Sequence, residues 1–205
     1  MAAGIVWFEE LSKGATAPAG GKGANLGELA GAGLPVPPGF VITAAGYLAA
    51  MDEGGVRDEL RAVFADASAY AAPASLAGAA ERLRSLVRKA GVPADLRAEI
   101  LDGYHRLGDD VAVAVRSSAT AEDTAGTSFA GMHETFANVV GDDAVVERVV
   151  DCLASLFGER AIAYRASQGI PDEPAIAVVV QRLVEADRPA SCSPPTPRSA
   201  TATAW

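Results

Sequence analysis

An arginine set among hydroxyls is the feature of this sequence with the most chemistry in it. Val115-Arg116-Ser117-Ser118-Ala119-Thr120 places a cation at the end of a valine-rich run, and Thr124, Thr127 and Ser128 add further hydroxyls downstream. Ligand-gripping side chains are often found where a strand opens into a loop. Gly126 and Gly131 would let the backbone bend or approach a ligand closely. A guanidinium surrounded by hydroxyl donors suits a polyphosphate. A second cation, Lys22, stands in Gly20-Gly21-Lys22-Gly23, just ahead of a helical pattern carrying Leu26, Leu29 and Ala30. A lysine at a helix entrance can meet phosphate together with free backbone N–H groups.

Two familiar phosphate motifs are excluded at Lys22. A P-loop needs glycine five residues before its Gly-Lys pair and Ser or Thr after it, and those positions hold Thr16 and Gly23. A dinucleotide fingerprint built on Gly21 and Gly23 would need glycine where Leu26 stands. The plain alternative is a solvated lysine in a flexible loop. Arg116 has an alternative as well, pairing with Glu122 or Asp123. Cys152, Cys192, His105 and His133 show no metal-ligand spacing.

Composition narrows the classes. Half of the 205 residues are hydrophobic, enough for a sizeable core. The formal charge of −9 excludes nucleic acid as a bulk electrostatic partner, so any anion must be held locally. No apolar run reaches the roughly 20 residues of a membrane span, and the N-terminus carries no secretory pattern. The expectation is a cytoplasmic protein with no membrane partner.

The elements that must position these cations can be read coarsely. Val6-Trp7-Phe8 reads as a short edge strand, and residues 14–20 as a turn-rich loop. Residues 34–43 read as a Pro-stiffened approach to a short buried strand, with Thr43 a candidate N-cap. Residues 56–107 carry apolar stripes at three- and four-residue spacings: Leu60, Val63 and Phe64, then Leu83, Leu86 and Val87, then Leu96, Ile100 and Tyr104. These predict a helical bundle inserted between two sheet-forming regions, an α+β fold with a mixed sheet. Residues 110–115 and 175–184 read as buried strands, with Gln181 a polar interruption of the second that a ligand or a sheet-end hydrogen bond would explain. Residues 135–140 resemble a further strand, and residues 142–156 and 159–168 further helices.

Gly20-Gly21-Lys22-Gly23-Ala24-Asn25-Leu26-Gly27-Glu28, Val36-Pro37-Pro38-Gly39-Phe40, Val115-Arg116-Ser117-Ser118-Ala119-Thr120-Ala121-Glu122-Asp123 and Ser128-Phe129-Ala130-Gly131 resemble, in order, the N-terminal nucleotide-binding region shared by phosphoenolpyruvate synthase, pyruvate phosphate dikinase and rifampicin phosphotransferase. The resemblance runs from about Val6 to Asp187. It implies an ATP-grasp-like N-terminal region over residues 1–188, with the helical insertion at about 55–108, ending before the second subdomain. It implies ATP as ligand, with Lys22 and Arg116 on the phosphates, Gly131 and Thr135 in the loop that closes over them, and Gln181 near the adenine. By resemblance, the full enzyme would convert ATP to AMP and phosphate while passing a phosphoryl group through a histidine on a swivelling domain to pyruvate, or to a rifamycin. The Mg2+ ligands, the swivelling domain and the acceptor-binding domain would lie outside this chain, which makes it inactive alone. A non-catalytic nucleotide-binding module is the reading from another class.

From Pro189 the text turns to Pro, Ser and Thr, which neither continue a strand nor build a core. The family would instead continue with an apolar strand reading like Ala-Gly-Val-Leu-Phe-Thr-Ala-Asp-Pro. GC-rich codons for residues 188–197 can spell that segment in the neighbouring frame. Residues 189–205 are therefore read as a frameshift product, against the alternative of a natural Pro/Ser/Thr tail.

Overall fold

The apolar runs pair into one five-stranded sheet in a computed structural model that describes residues 4–69, 73–120, 134–167 and 173–184. The strands are β1 (Ile5–Trp7), β2 (Gly39–Ile42), β3 (Val113–Ala119), β4 (Thr135–Val139) and β5 (Ile176–Arg182), in the spatial order β1-β2-β5-β3-β4. The valine-rich β5 thus lies at the centre, and the short β1 at an edge. Every described pairing is antiparallel, which corrects the expected mixed sheet. The reason is topological. The helical segment joins β2 to β3, which run in the same direction as a crossover demands, but β5 is inserted between them and runs against both.

Directly opposed residues of an antiparallel sheet share a face, so the register sorts the side chains. One face carries Phe40, Ile42, Val113, Val115, Val178 and Val180, all fully buried. Against it lie α2 (Ala44–Glu53), α3 (Arg57–Ala69), α4 (Pro73–Ala90), α5 (Ala94–Leu107), α6 (Asp142–Ala154) and α7 (Glu159–Ser167). Their buried stripes follow the helical period: Leu96, Ile100, Tyr104 and Leu107 in α5, and Val145, Val149, Cys152 and Leu153 in α6. Thr43 caps α2 as expected, its hydroxyl accepting from the Gly46 amide at 3.0 Å.

The other face is covered over β2, β5 and β3 by α1 (Thr16–Gly31), with Phe8, Leu11, Ala19, Val41, Ala177 and Val179 forming a smaller apolar layer. The segment read as a turn-rich loop is in fact helical on both sides of a break at Gly20, whose φ of 68° is left-handed. The glycines suggested a turn because the contacts they serve are tertiary. A Cβ on Gly23 would meet the Val41 methyls at 3.0 Å, and one on Gly27 would meet Leu11 at 2.4 Å, so hydrogens there let α1 settle onto the layer below. Gly131, the other residues of 121–133, and residues 185–205, including the boundary at 188 and the tail, lie outside the described residues.

Candidate functional site

One row of opposed residues crosses all five strands: Val6, Val41, Val179, Arg116 and Thr135. Its first three members are apolar, and Val41 and Val179 belong to the layer beneath α1. Its last two carry a guanidinium and a hydroxyl, so the row turns polar on the same face. Arg116 sits in the middle of β3 and not at a strand exit, which corrects the expected placement. Ser117, Ser118 and Ala119 read as loop because they are small and polar, yet they pair with Val178, Ala177 and Ile176 of β5 and are buried. The Arg116 side chain is half-buried, and its Nε is buried with no hydrogen-bond partner among the described residues. An unpaired buried donor is costly, and an acceptor arriving from outside would satisfy it.

Thr135, exposed at the start of β4, stands opposite Arg116, with Cβ atoms about 5 Å apart by the geometry of such pairs. Gln181 is opposed to Ala114, two residues from Arg116 in β3, and therefore shares the face of Arg116 one step along. Its polar interruption of β5 has a structural partner, since the side-chain amide donates to the Pro37 carbonyl at 3.1 Å. Lys22 lies one turn past Ala19, at the start of the longer arm of α1 on this same face. The described members of the expected set, Lys22, Arg116, Thr135 and Gln181, thus share one side of the sheet.

Two expectations are corrected. The helix entrance does not offer free donors at Lys22 and Gly23: both amides donate to the Ser118 hydroxyl, at 3.1 and 3.3 Å. Nor are the hydroxyls of Ser117 and Ser118 ligand donors. Ser118 Oγ donates to the Ala19 carbonyl at 2.9 Å, and Ser117 Oγ to the Glu134 carbonyl at 3.1 Å. Thr120 Oγ1 donates to the Ala175 carbonyl. Residues 120 and 134, the two ends of the segment that contains Gly131, are each hydrogen-bonded to the sheet. The structural use of Ser118 went unseen in the sequence. The spacing Gly20-x-x-Gly23-x-x-x-Gly27, which marks one face of a closely packed helix, is the signal that would have found it.

A cleft of about 810 Å³ opens at the sheet end formed by Pro37, Pro38, Ala112, Asn138, Arg182 and Val184. None of the four residues lines it, although Gln181 reaches its rim through Pro37. Among the described residues no three or more of His, Cys, Asp and Glu gather to hold a metal ion. No described helix is long and apolar enough to cross a membrane.

Comparison with known proteins places this chain in a class of nucleotide-binding domains. The family profile "Pyruvate phosphate dikinase, AMP/ATP-binding domain" matches residues 16–197, and the chain belongs to that family. Its relatives include a probable phosphoenolpyruvate synthase of Methanocaldococcus jannaschii, 45% identical over 190 residues, covering 90% of this chain and 16% of that protein. The phosphoenolpyruvate synthase of Aeropyrum pernix is 42% identical over 88% of this chain and 23% of its own length. That of Pseudomonas aeruginosa is 43% identical over 82% and 22%. The chain spans less than a quarter of the length of these three relatives.

Proposed function

We propose that this chain is the ATP-phosphate-gripping part of a phosphoenolpyruvate-synthase-type phosphotransferase. The observation that carries the reading is Arg116, a half-buried arginine with an unsatisfied buried Nε, on the same face as the helix of Lys22. Lys22 and Arg116 neutralise the triphosphate, Thr135 offers its hydroxyl beside Arg116, Gln181 lies toward the adenine, and the family resemblance adds Gly131. In phosphoryl transfer the protein's work is mainly alignment and charge stabilisation, and two fixed cations supply both.

Within the longer protein, this part would hold ATP while its phosphoryl group passes through a histidine elsewhere to pyruvate, leaving AMP and phosphate. The relatives named phosphoenolpyruvate synthase favour pyruvate over a rifamycin as acceptor. The architecture would be that of the first part of an ATP-grasp module, with residues 1–188 contributing its first subdomain. Calorimetric titration of the chain with ATP tests the reading. Arg116→Ala should weaken binding between ten- and a hundredfold, as expected for a lost charge-assisted contact of about 1.5–3 kcal/mol. Equal affinity in the two proteins would reject the site.

A further inference from the structure

We infer that Ser118 is a positioning residue that locks Lys22 to Arg116, fixing the distance between the two cations. The inference deepens the proposed function and rests on its reading of Lys22 as a phosphate contact. The tether starts from a break at Gly20. Its left-handed φ of 68° breaks α1, so the amides that open the second arm have no helical carbonyl behind them. An N-cap side chain normally takes those amides, and glycine has none. Ser118, nearly a hundred residues away in sequence, supplies the missing group: its Oγ accepts from the amides of Lys22 and Gly23 and donates to the carbonyl of Ala19, the last residue before the break.

That hydroxyl is fully used. A serine has one donor hydrogen and two acceptor lone pairs, and all three are engaged in a side chain with no solvent exposure. Ser118 therefore cannot itself take a ligand atom. The fit admits no alternative residue at Gly20 either, because a Cβ there would lie 2.2 Å from Ser118 Oγ. Ser118 is also two residues from Arg116 in β3, on the same face. One short stretch of strand thus carries one cation directly and holds the helix start that carries the other. A polyphosphate has fixed spacing between its charges, so the value of the tether lies in setting the gap between two cations that are about 94 residues apart along the chain.

ATP titrations of the chain and of Ser118→Ala, Lys22→Ala and the double variant test this, with thermal melts alongside. Ser118→Ala should weaken ATP about tenfold, Lys22→Ala at least as much, and the double variant no more than Lys22→Ala, because a tether with no cation to hold does nothing. If the two losses multiply, or if Ser118→Ala binds ATP like the parent, the inference is overturned. If Lys22→Ala leaves ATP affinity unchanged, the reading of the site fails instead, whatever Ser118 does. Ser118→Cys covers the case in which the alanine variant does not fold. Its thiol occupies similar space and accepts weakly, so the melt should stay near that of the parent while amide hydrogen exchange at Lys22 and Gly23 speeds up and ATP weakens about threefold. Parent-like exchange at those two amides, or faster exchange with parent-like ATP affinity, overturns the inference.

Discussion

The two faces of the sheet are closed by different means. On the helical side, large side chains fill the space: Phe40, Tyr47, Leu83, Ile100, Tyr104, Leu153 and Phe157 are all buried around Val113, Val115 and Val180. On the α1 side a smaller apolar layer is closed by close approaches at Gly20, Gly23 and Gly27 and by one serine hydroxyl. Volume packing tolerates small shifts because many weak contacts share the load. A glycine contact backed by a saturated hydroxyl has one geometry. The helical side therefore supplies stability, and the α1 side supplies position.

The largest effect should come from the helical side. Ile100→Ala opens a cavity in the fully buried α5 stripe and should cost about 4 kcal/mol in denaturant unfolding. Its remaining folded molecules should bind ATP like the parent; a matching loss of affinity would erase the division between the faces. Gly20→Ala should come next, at about 3 kcal/mol, from a left-handed alanine driven against Ser118. Here the loss of ATP affinity should persist at temperatures where circular dichroism shows the chain folded. Affinity that follows only the folded fraction would move Gly20 to the stability side of the comparison.

The smallest of the three comes from charge. Glu173 meets Arg57 at 2.8 Å and Arg61 at 2.7 Å, joining α3 to the approach to β5. Hydrogen bonding from Arg57, then Arg61, lowers its pKa from 4.5 to about 2 against the opposing pull of burial. A carboxylate depressed in the folded state stabilises above its unfolded pKa and loses that contribution as pH falls through the folded value. The contribution is thus complete above pH 4.5 and fades toward pH 2, and after allowance for partial exposure it amounts to about 2 kcal/mol. Glu173→Gln should flatten that part of the acid unfolding curve without moving ATP affinity at neutral pH. An unchanged acid curve would show the ion pairs to be idle.

Much of the helical side was legible in the sequence, because large apolar residues at helical spacing have few other uses. The stripes of α5 and α6, the central β5 and the Thr43 cap all follow from local pattern. The α1 side was harder. Residues 14–20 read as loop because glycine lowers helix propensity, and only the layer of Leu11 and Val41 beneath α1 explains a glycine-rich helix. Ser117 and Ser118 read as exposed hydroxyls because their burial depends on remote elements, β5 for both and α1 for Ser118. Strand direction was not encoded at all, since an apolar run reads the same whether its neighbour is parallel or antiparallel. Lys22, Arg116, Thr135 and Gln181 could be named from motif order, but that four such distant residues share one face needed the register of the strands.

The place of β5 has a consequence for synthesis. It is the last described strand to be made, yet it joins β2 to β3. Until the ribosome has passed Arg182, β1 with β2 and β3 with β4 are separate two-stranded ribbons, each with an unpaired apolar edge facing the gap. Isolated ribbons are marginal in water, and open edges recruit other strands. At about 5–20 residues per second, the roughly 130 residues between β2 and β5 leave the first of those edges open for on the order of ten seconds. The nascent chain is thus most exposed to misassembly in the interval before its central strand arrives.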